Sequence, residues 1–436
     1  MIKRLFILAV VMFMGVTNLI AQNVVWSKNS GHAKSSYSSV IAVPDGIIAV
    51  GNASLSHVPG LNNGEWLGSI GKGGEDAIII KFDNSGNVIW KKNFGGVGNE
   101  YFNHVIEMQD GFVACGYADF KSFGTGDLVG LVGKGGTDII FVKFDNSGNV
   151  VWKKNFGGST DDSFNDNALV WDGFVDVSVV SGGFVAVGAR KSFDSGDWEG
   201  LTRKGKVDAL IVKFDSTGNV LWKKNFGGKG NNTFTSVTVV SDGIVAVGTS
   251  SGYGSGGGES FGTEDLERIA EKGLQDAIIV KYDNSGNIMW KKNFGGYADD
   301  EFKSVTAVAD GIVTVGFSDP NSFNNGDWEG VHGYKGSNAI AVKYDNNGNI
   351  VWKKNCCSEW GEKYNLIASV SNGFVVRGFV KGTLCIEKHN AKWDIVWSKS
   401  FGSGSDNWIN CIAAVQDGVV VVGGSKSEGA RIIKYK

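Results

Sequence analysis

GNVIWKKNFGG, residues 86–96, returns with small changes along the whole chain, centred on Trp26, Trp90, Trp152, Trp222, Trp290, Trp352 and Trp397. Spacings of 64, 62, 70, 68, 62 and 45 residues are those of an array built from one supersecondary unit. Upstream of each Trp stretch lies a turn such as Asn84-Ser85-Gly86, and before it an apolar run such as DAIIIKFD at 76–83. Further upstream is a tight hairpin around Asp45-Gly46, repeated at Asp110-Gly111, Gly182-Gly183, Asp242-Gly243, Asp310-Gly311, Asn372-Gly373 and Asp417-Gly418. Each unit therefore reads as four strands: A before the hairpin turn, B after it, C ending in KFD or KYD, and D bearing the Trp.

Strands B and C are apolar at nearly every position, as strands are when neighbouring sheets cover both faces. Four-stranded sheets stacked face to face in a ring make a β-propeller. The fold expected is all-β, with seven blades. The chain ends support closure. Asn23-Val24-Val25-Trp26 is a D strand without its C strand, and Ala430 to Lys436 (ARIIKYK) is a C strand without its D strand. Pairing the two completes a seventh blade, whereas an open solenoid would need polar capping repeats.

Lys3 and Arg4, then the apolar run Leu5 to Val16, then Thr17 to Ala21, read as a secretory signal peptide over 1–21, too short to span a bilayer. Residues 22–436 follow as one propeller domain. No cysteine stands directly at the cleavage site and no second run of 18 apolar residues exists. The mature chain is thus expected to be secreted, periplasmic or at the cell surface, without a lipid or transmembrane anchor. A net charge of −3 with acids and bases nearly balanced argues against nucleic-acid binding and membrane insertion. A monomer is expected. The five cysteines, Cys115, Cys356, Cys357, Cys385 and Cys411, are too irregular for a disulfide framework and read as small buried hydrophobes. Blade 4 has an enlarged loop in which Thr263 is placed to cap a short helix over 264–272, stopped by Gly273.

The succession DG, VAVG, GDxxG, DAxxVKFD, GNxxWKK, GG resembles the exported β-propeller repeat proteins common in Bacteroidota, over essentially all of residues 23 to 436. The resemblance implies the fold and carries no particular activity.

Strand alternation puts the short turns on one face and the long B-to-C loops, with the D-to-A crossings, on the other. Long loops on a rigid scaffold are the usual place for binding. The candidates there are Trp66, Phe123, Asp127, Asp197, Trp198, Asp327 and Trp328, aromatic rings beside carboxylates, with a Lys-Gly following at Lys72, Lys134, Lys204, Lys272 and Lys335. One reading is a ring of platforms for stacking on a glycan or gripping a peptide. The other is that the rings pin each loop to its own blade while acid and lysine pair locally. The Lys pairs after each Trp read as guards on an exposed edge strand.

No GxSxG, HExxH or CxxC occurs, and the five histidines fall in different blades, so no catalytic residue is assigned. No cofactor is called for. The DNSGN turns lack the Glu that a calcium loop needs, while calcium between acidic crossings such as Asp161-Asp162 or Asp299-Asp300-Glu301 stays open. The function expected is a non-catalytic binding or scaffold propeller with a protein or glycan ligand on the long-loop face. The alternative is a glycan lyase or hydrolase whose residues converge from separate blades.

Overall fold

The computed structural model describes residues 23–30, 34–55, 65–66, 69–164, 173–193, 195–252, 260–356, 361–402 and 407–436. The leader expected over 1–21, the insertion after Phe164 and Cys357 lie outside the described residues.

The chain forms a seven-bladed β-propeller of antiparallel four-stranded sheets. Blade 1 is typical, with strand A at Ser35–Val43, B at Gly46–Ala53, C at Asp76–Phe82 and D at Val88–Phe94. Blade 3 has in addition the two-residue strand Ser163–Phe164, parallel to its strand A at Gly173–Val180. In blade 6, strand B at Gly373–Val380 turns straight into strand C at Thr383–Asn390 through Lys381-Gly382, both at positive φ. That blade has no long loop. The seventh blade holds Asn407–Val415, Gly418–Ser425 and Gly429–Tyr435, and its outer strand is Val24–Asn29. Trp26 pairs with Lys434 and Asn29 with Arg431, and the Lys436 N–H donates to the Asn23 carbonyl at 3.1 Å. The ring closes as the sequence predicts.

Strands B and C supply the core. Ile47, Ala49, Ile78, Ile80 and Phe82 of blade 1 pack on Val420, Val422 and Ile432 of blade 7, and similar clusters fill the other seams. Hairpin glycines are fixed by close approach: a Cβ on Gly46 would lie 1.9 Å from the Phe82 carbonyl oxygen. The lysine of the KFD run buries its stem and reaches the aspartate of its own hairpin turn, as Lys81 does to Asp45 at 2.7 Å and Lys343 to Asp310 at 2.7 Å. Blade 3 has Gly182 where that aspartate would stand, and Lys213 donates instead to the Asn284 carbonyl of blade 4 at 3.1 Å.

The D-strand tryptophans tie one blade to the next on the short-turn face. Trp90 donates to the Asn146 carbonyl at 3.1 Å, Trp152 to Ser216 at 3.2 Å, Trp222 to Asn284 at 3.1 Å and Trp290 to Asn346 at 3.1 Å, each ring lying against the glycine of the neighbouring C-to-D turn. Trp26 does the same from blade 7 to blade 1. At blade 6 the turn carries Trp393 instead, and Trp352 meets its ring at 5.5 Å.

The helix expected over 264–272 does not form. Only a single 3-10 turn, Glu264–Leu266, is present, and Thr263 makes no cap; its hydroxyl donates to the Ser260 carbonyl at 2.9 Å. Gly126–Leu128, Gly196–Trp198 and Gly326–Trp328 are the same turn in other blades, so the repeat's loop geometry overrides local helix propensity.

Candidate functional site

On the long-loop face, the loops of blades 2 to 5 are each strapped to the blade before them. Asp197 of blade 3 takes Lys134 of blade 2 at 2.5 Å and the Gly157 N–H at 2.9 Å on one oxygen, while Lys134 also donates to the Asn155 carbonyl at 3.1 Å. Asp127 with Lys72, Asp265 with Lys204 and Asp327 with Lys272 repeat the arrangement. Acid and lysine thus pair between blades, where local pairing was expected. Lys335 has no such place, because Tyr334 occupies the position of Lys72, with its N–H on Asn338 at 2.8 Å as that of Lys72 is on Asp76.

The rings named from the sequence are for the most part inside. Trp198 and Trp328 are wholly buried and Trp66 is 1% exposed. Trp198 donates to Asp162 at 2.9 Å and meets Phe156 edge-on at 4.6 Å, with the Arg190 guanidinium over its face at 4.7 Å. Trp328 donates to Asp300 at 3.1 Å and to Ser318 at 3.0 Å, and Trp66 donates to Tyr37 at 3.4 Å. None of these three offers a face for stacking. They anchor loops, and the acidic crossings discussed for calcium supply the acceptors of Trp198 and Trp328. Among the described residues no cluster of three or more His, Cys, Asp or Glu side chains is placed to hold a metal ion.

Phe123 differs. It is half-buried against Gly133 and, with Phe120, Leu131 and Val132, lines a surface cavity of about 480 Å³ on blade 2. On the loops of blades 1 and 2, Ile70, Val97, Phe120, Val129 and Val132 are each between 59% and 84% exposed. Val97 is held to the blade 2 loop by its N–H on the Thr125 hydroxyl at 3.0 Å, and Ile70 flanks the Lys72–Asp127 strap. Opposite Val129, blades 3 and 5 carry Glu199 and Glu329, and opposite Val132 they carry Thr202 and His332, although Tyr297 stands opposite Val97. An apolar patch therefore breaks the repeat at blades 1 and 2.

The first lysine of each pair after Trp is not an edge guard. Lys91 donates to the Glu65 carbonyl at 2.5 Å and Lys223 to the Asp197 carbonyl at 2.5 Å, which pins the loop from below.

The innermost strands hold a second set of residues that sequence reasoning missed. Every A strand carries a bulge, at Ser38, Asn103, Val175, Thr235, Lys303, Asn365 and Asn410. The residue after each bulge forms a belt around the central channel: Ser39, His104, Asp176, Ser236, Ser304, Leu366 and Cys411. Along it, a hydroxyl or carboxylate accepts the backbone N–H of the next blade, from Val105 to Ser39 at 3.4 Å, Val237 to Asp176 at 2.8 Å, Val305 to Ser236 at 3.3 Å and Ile367 to Ser304 at 3.2 Å. His104 Nδ1 lies 3.7 Å from Asp176. Burial pushes the Asp176 carboxyl up, against the pull of His104 and of its hydrogen bonds. Bulges shift the two-residue alternation, which hid these positions.

Cys115 and Cys385 are buried strand residues, and Cys115, Cys356, Cys385 and Cys411 are free thiols. No helix among the described residues is long and apolar enough to cross a membrane.

No protein-family model matches the chain. A stretch of 120 residues is 29% identical to the Regulatory protein FlaEY of Caulobacter vibrioides, covering 28% of this chain and 12% of that relative's own length. Among solved structures, the Dos1 propeller is similar at a TM-score of 0.45 and 11% identity over 96% of both chains. The β-propeller domain of Cps50 (Swd1) from Myceliophteria thermophila is similar at 0.48 and 10% identity, over 95% of this chain and 99% of that one.

Proposed function

We propose that the protein is an exported, non-catalytic binding or scaffold propeller that takes a protein or glycan ligand on its long-loop face, at blades 1 and 2. The observation that carries this reading is the set of exposed apolar side chains Ile70, Val97, Phe120, Val129 and Val132 on the loops of blades 1 and 2, with Glu199 and Glu329 opposite Val129 in blades 3 and 5. The aromatic and aliphatic mix, with Phe123 in the cavity floor and Lys134 at its rim, suits a ligand with an apolar face and hydrogen-bonding edges. Export rests on the charged and apolar N-terminal run.

A glycan array and a peptide panel, read beside an assay for reducing-end or unsaturated-sugar release, test the reading. Saturable binding that Phe120→Asp and Val132→Asp abolish, in variants melting like the parent, supports it. Turnover that a single carboxylate substitution removes would replace it with the enzyme reading.

A further inference from the structure

Four ionisable side chains break the repeat around the channel, and all four line one cavity of about 510 Å³. His104 and Asp176 stand in the belt, which elsewhere holds Ser, Leu or Cys. Lys303 occupies a bulge where the other six blades have uncharged residues. Arg377 faces Leu366 across blade 6, at a strand B position that is Val or Cys in every other blade, such as Val50 opposite Ser39 and Cys115 opposite His104. In blade 6 the belt has exchanged partners: the apolar residue sits on strand A and the cation comes through from strand B. A structural repeat needs none of these exchanges.

The charges are unequal. Asp176 is the only carboxylate among the described residues that line the cavity, and it is already engaged by the Ser236 hydroxyl and the Val237 N–H, each at 2.8 Å, with His104 beside it. Lys303 pairs with Glu301 towards the long-loop face, and Arg377 adds a guanidinium. Cations inside a channel with protein walls attract a small oxyanion, and a guanidinium matches a carboxylate or phosphate by two parallel hydrogen bonds. The remaining polar wall, Ser38, Thr235, Asn365 and Asn410, consists of hydroxyls and amides. Such a wall pairs with the hydroxyl groups of a polyol. The volume falls within the usual range for small-ligand sites.

We propose that the central channel binds a small polyhydroxylated anion, a sugar acid or a sugar phosphate, with Arg377 and Lys303 on its oxyanion and the hydroxyl and amide wall on its hydroxyl groups. This site is separate from the patch on blades 1 and 2, and either can exist without the other.

Titration calorimetry of the purified protein with glucuronate, glucose 6-phosphate, glucose and inorganic phosphate tests it. Both sugar anions should bind saturably, with neutral glucose and free phosphate each at least tenfold weaker. Arg377→Gln should weaken the sugar anions tenfold or more and Arg377→Lys less, while Phe120→Asp in the patch changes nothing. Lys303→Gln, away from the strand B core, should give the same loss if Arg377→Gln melts early. Failure of both sugar anions to bind at millimolar concentration overturns the proposal, as does binding that survives Arg377→Gln and Lys303→Gln undiminished. Free phosphate binding as tightly as glucose 6-phosphate overturns the polyol assignment.

Discussion

The indole of Trp90 lies so close to Gly148 of the next blade that a Cβ on that glycine would sit 2.9 Å from the ring, and the indole N–H donates to the Asn146 carbonyl at 3.1 Å. Gly148 is also at φ +78°, so the turn needs glycine for its backbone and again for its neighbour. Five of the seven blade seams are joined this way.

Gly148→Ala should therefore cost more than its backbone strain alone, which is about 1–2 kcal/mol. Gly182→Ala is the control, with φ +79° and open space around it. Chemical denaturation should show the Gly148 variant losing at least about 1 kcal/mol more than the control. Equal losses would mean that the Trp–Gly contact contributes nothing.

Blade 4 offers the converse. Glu264 and Arg268 hold φ +47° and +67° where blades 2, 3 and 5 place glycines at the same two loop positions. Glu264→Gly and Arg268→Gly should each stabilise the protein by roughly 0.5–1 kcal/mol, left-handed strain relieved less the added freedom of the unfolded chain. A lower melting temperature in both variants would refute the strain argument.

Burial pushes the Glu100 carboxyl up to about 7, with Asp76 and Asp119 adding like charge. A carboxyl whose folded pKa exceeds its unfolded value of 4.5 contributes stability in full below that value and loses it as pH rises through about 7. Stability should thus fall between pH 5 and 8, and Glu100→Gln should remove up to about 3 kcal/mol of that fall. Denaturation midpoints at the two pH values measure it, and an unchanged slope in the variant would locate the titration elsewhere. Asp276, pushed up to about 6 by burial, contributes a further decline of the same sign.

Trp198→Ala removes a wholly buried ring and leaves Asp162 without its indole partner, so a loss of about 3–5 kcal/mol is expected. Any ligand affinity of the blade 1 and 2 patch should persist in this variant at temperatures where it stays folded. Lost affinity with intact stability would restore Trp198 to a binding surface.

Ring closure, blade count and strand roles were legible because Asn23 and Lys436 cut one C-to-D turn and the apolar runs keep strict register. Loop roles were less so. Trp198 and Asp197 are neighbours in sequence, yet one buries its ring in the core between blades 2 and 3 and the other pairs with Lys134 on the surface, a divergence set by the 3-10 turn at Gly196 rather than by residue type. The stretch 264–272 reads as a capped helix until one sees that Glu264 holds the position of a left-handed glycine. His104, Asp176, Lys303 and Arg377 were invisible because they meet only when separate blades close around the channel and because a bulge moves each inner strand out of simple alternation.

Pairing of Val24–Asn29 with Gly429–Tyr435 sets the order of events during synthesis. At about 5–20 residues per second, the first strand waits some 20–80 s for a partner made about 400 residues later. Six blades can form by local hairpins in that interval, while the seventh has only an exposed apolar edge at Val24 and Val25. The nascent chain is most vulnerable to mispairing just before its last strand arrives, and a chaperone that shields that edge would raise the yield of closed rings more than one acting on any other blade.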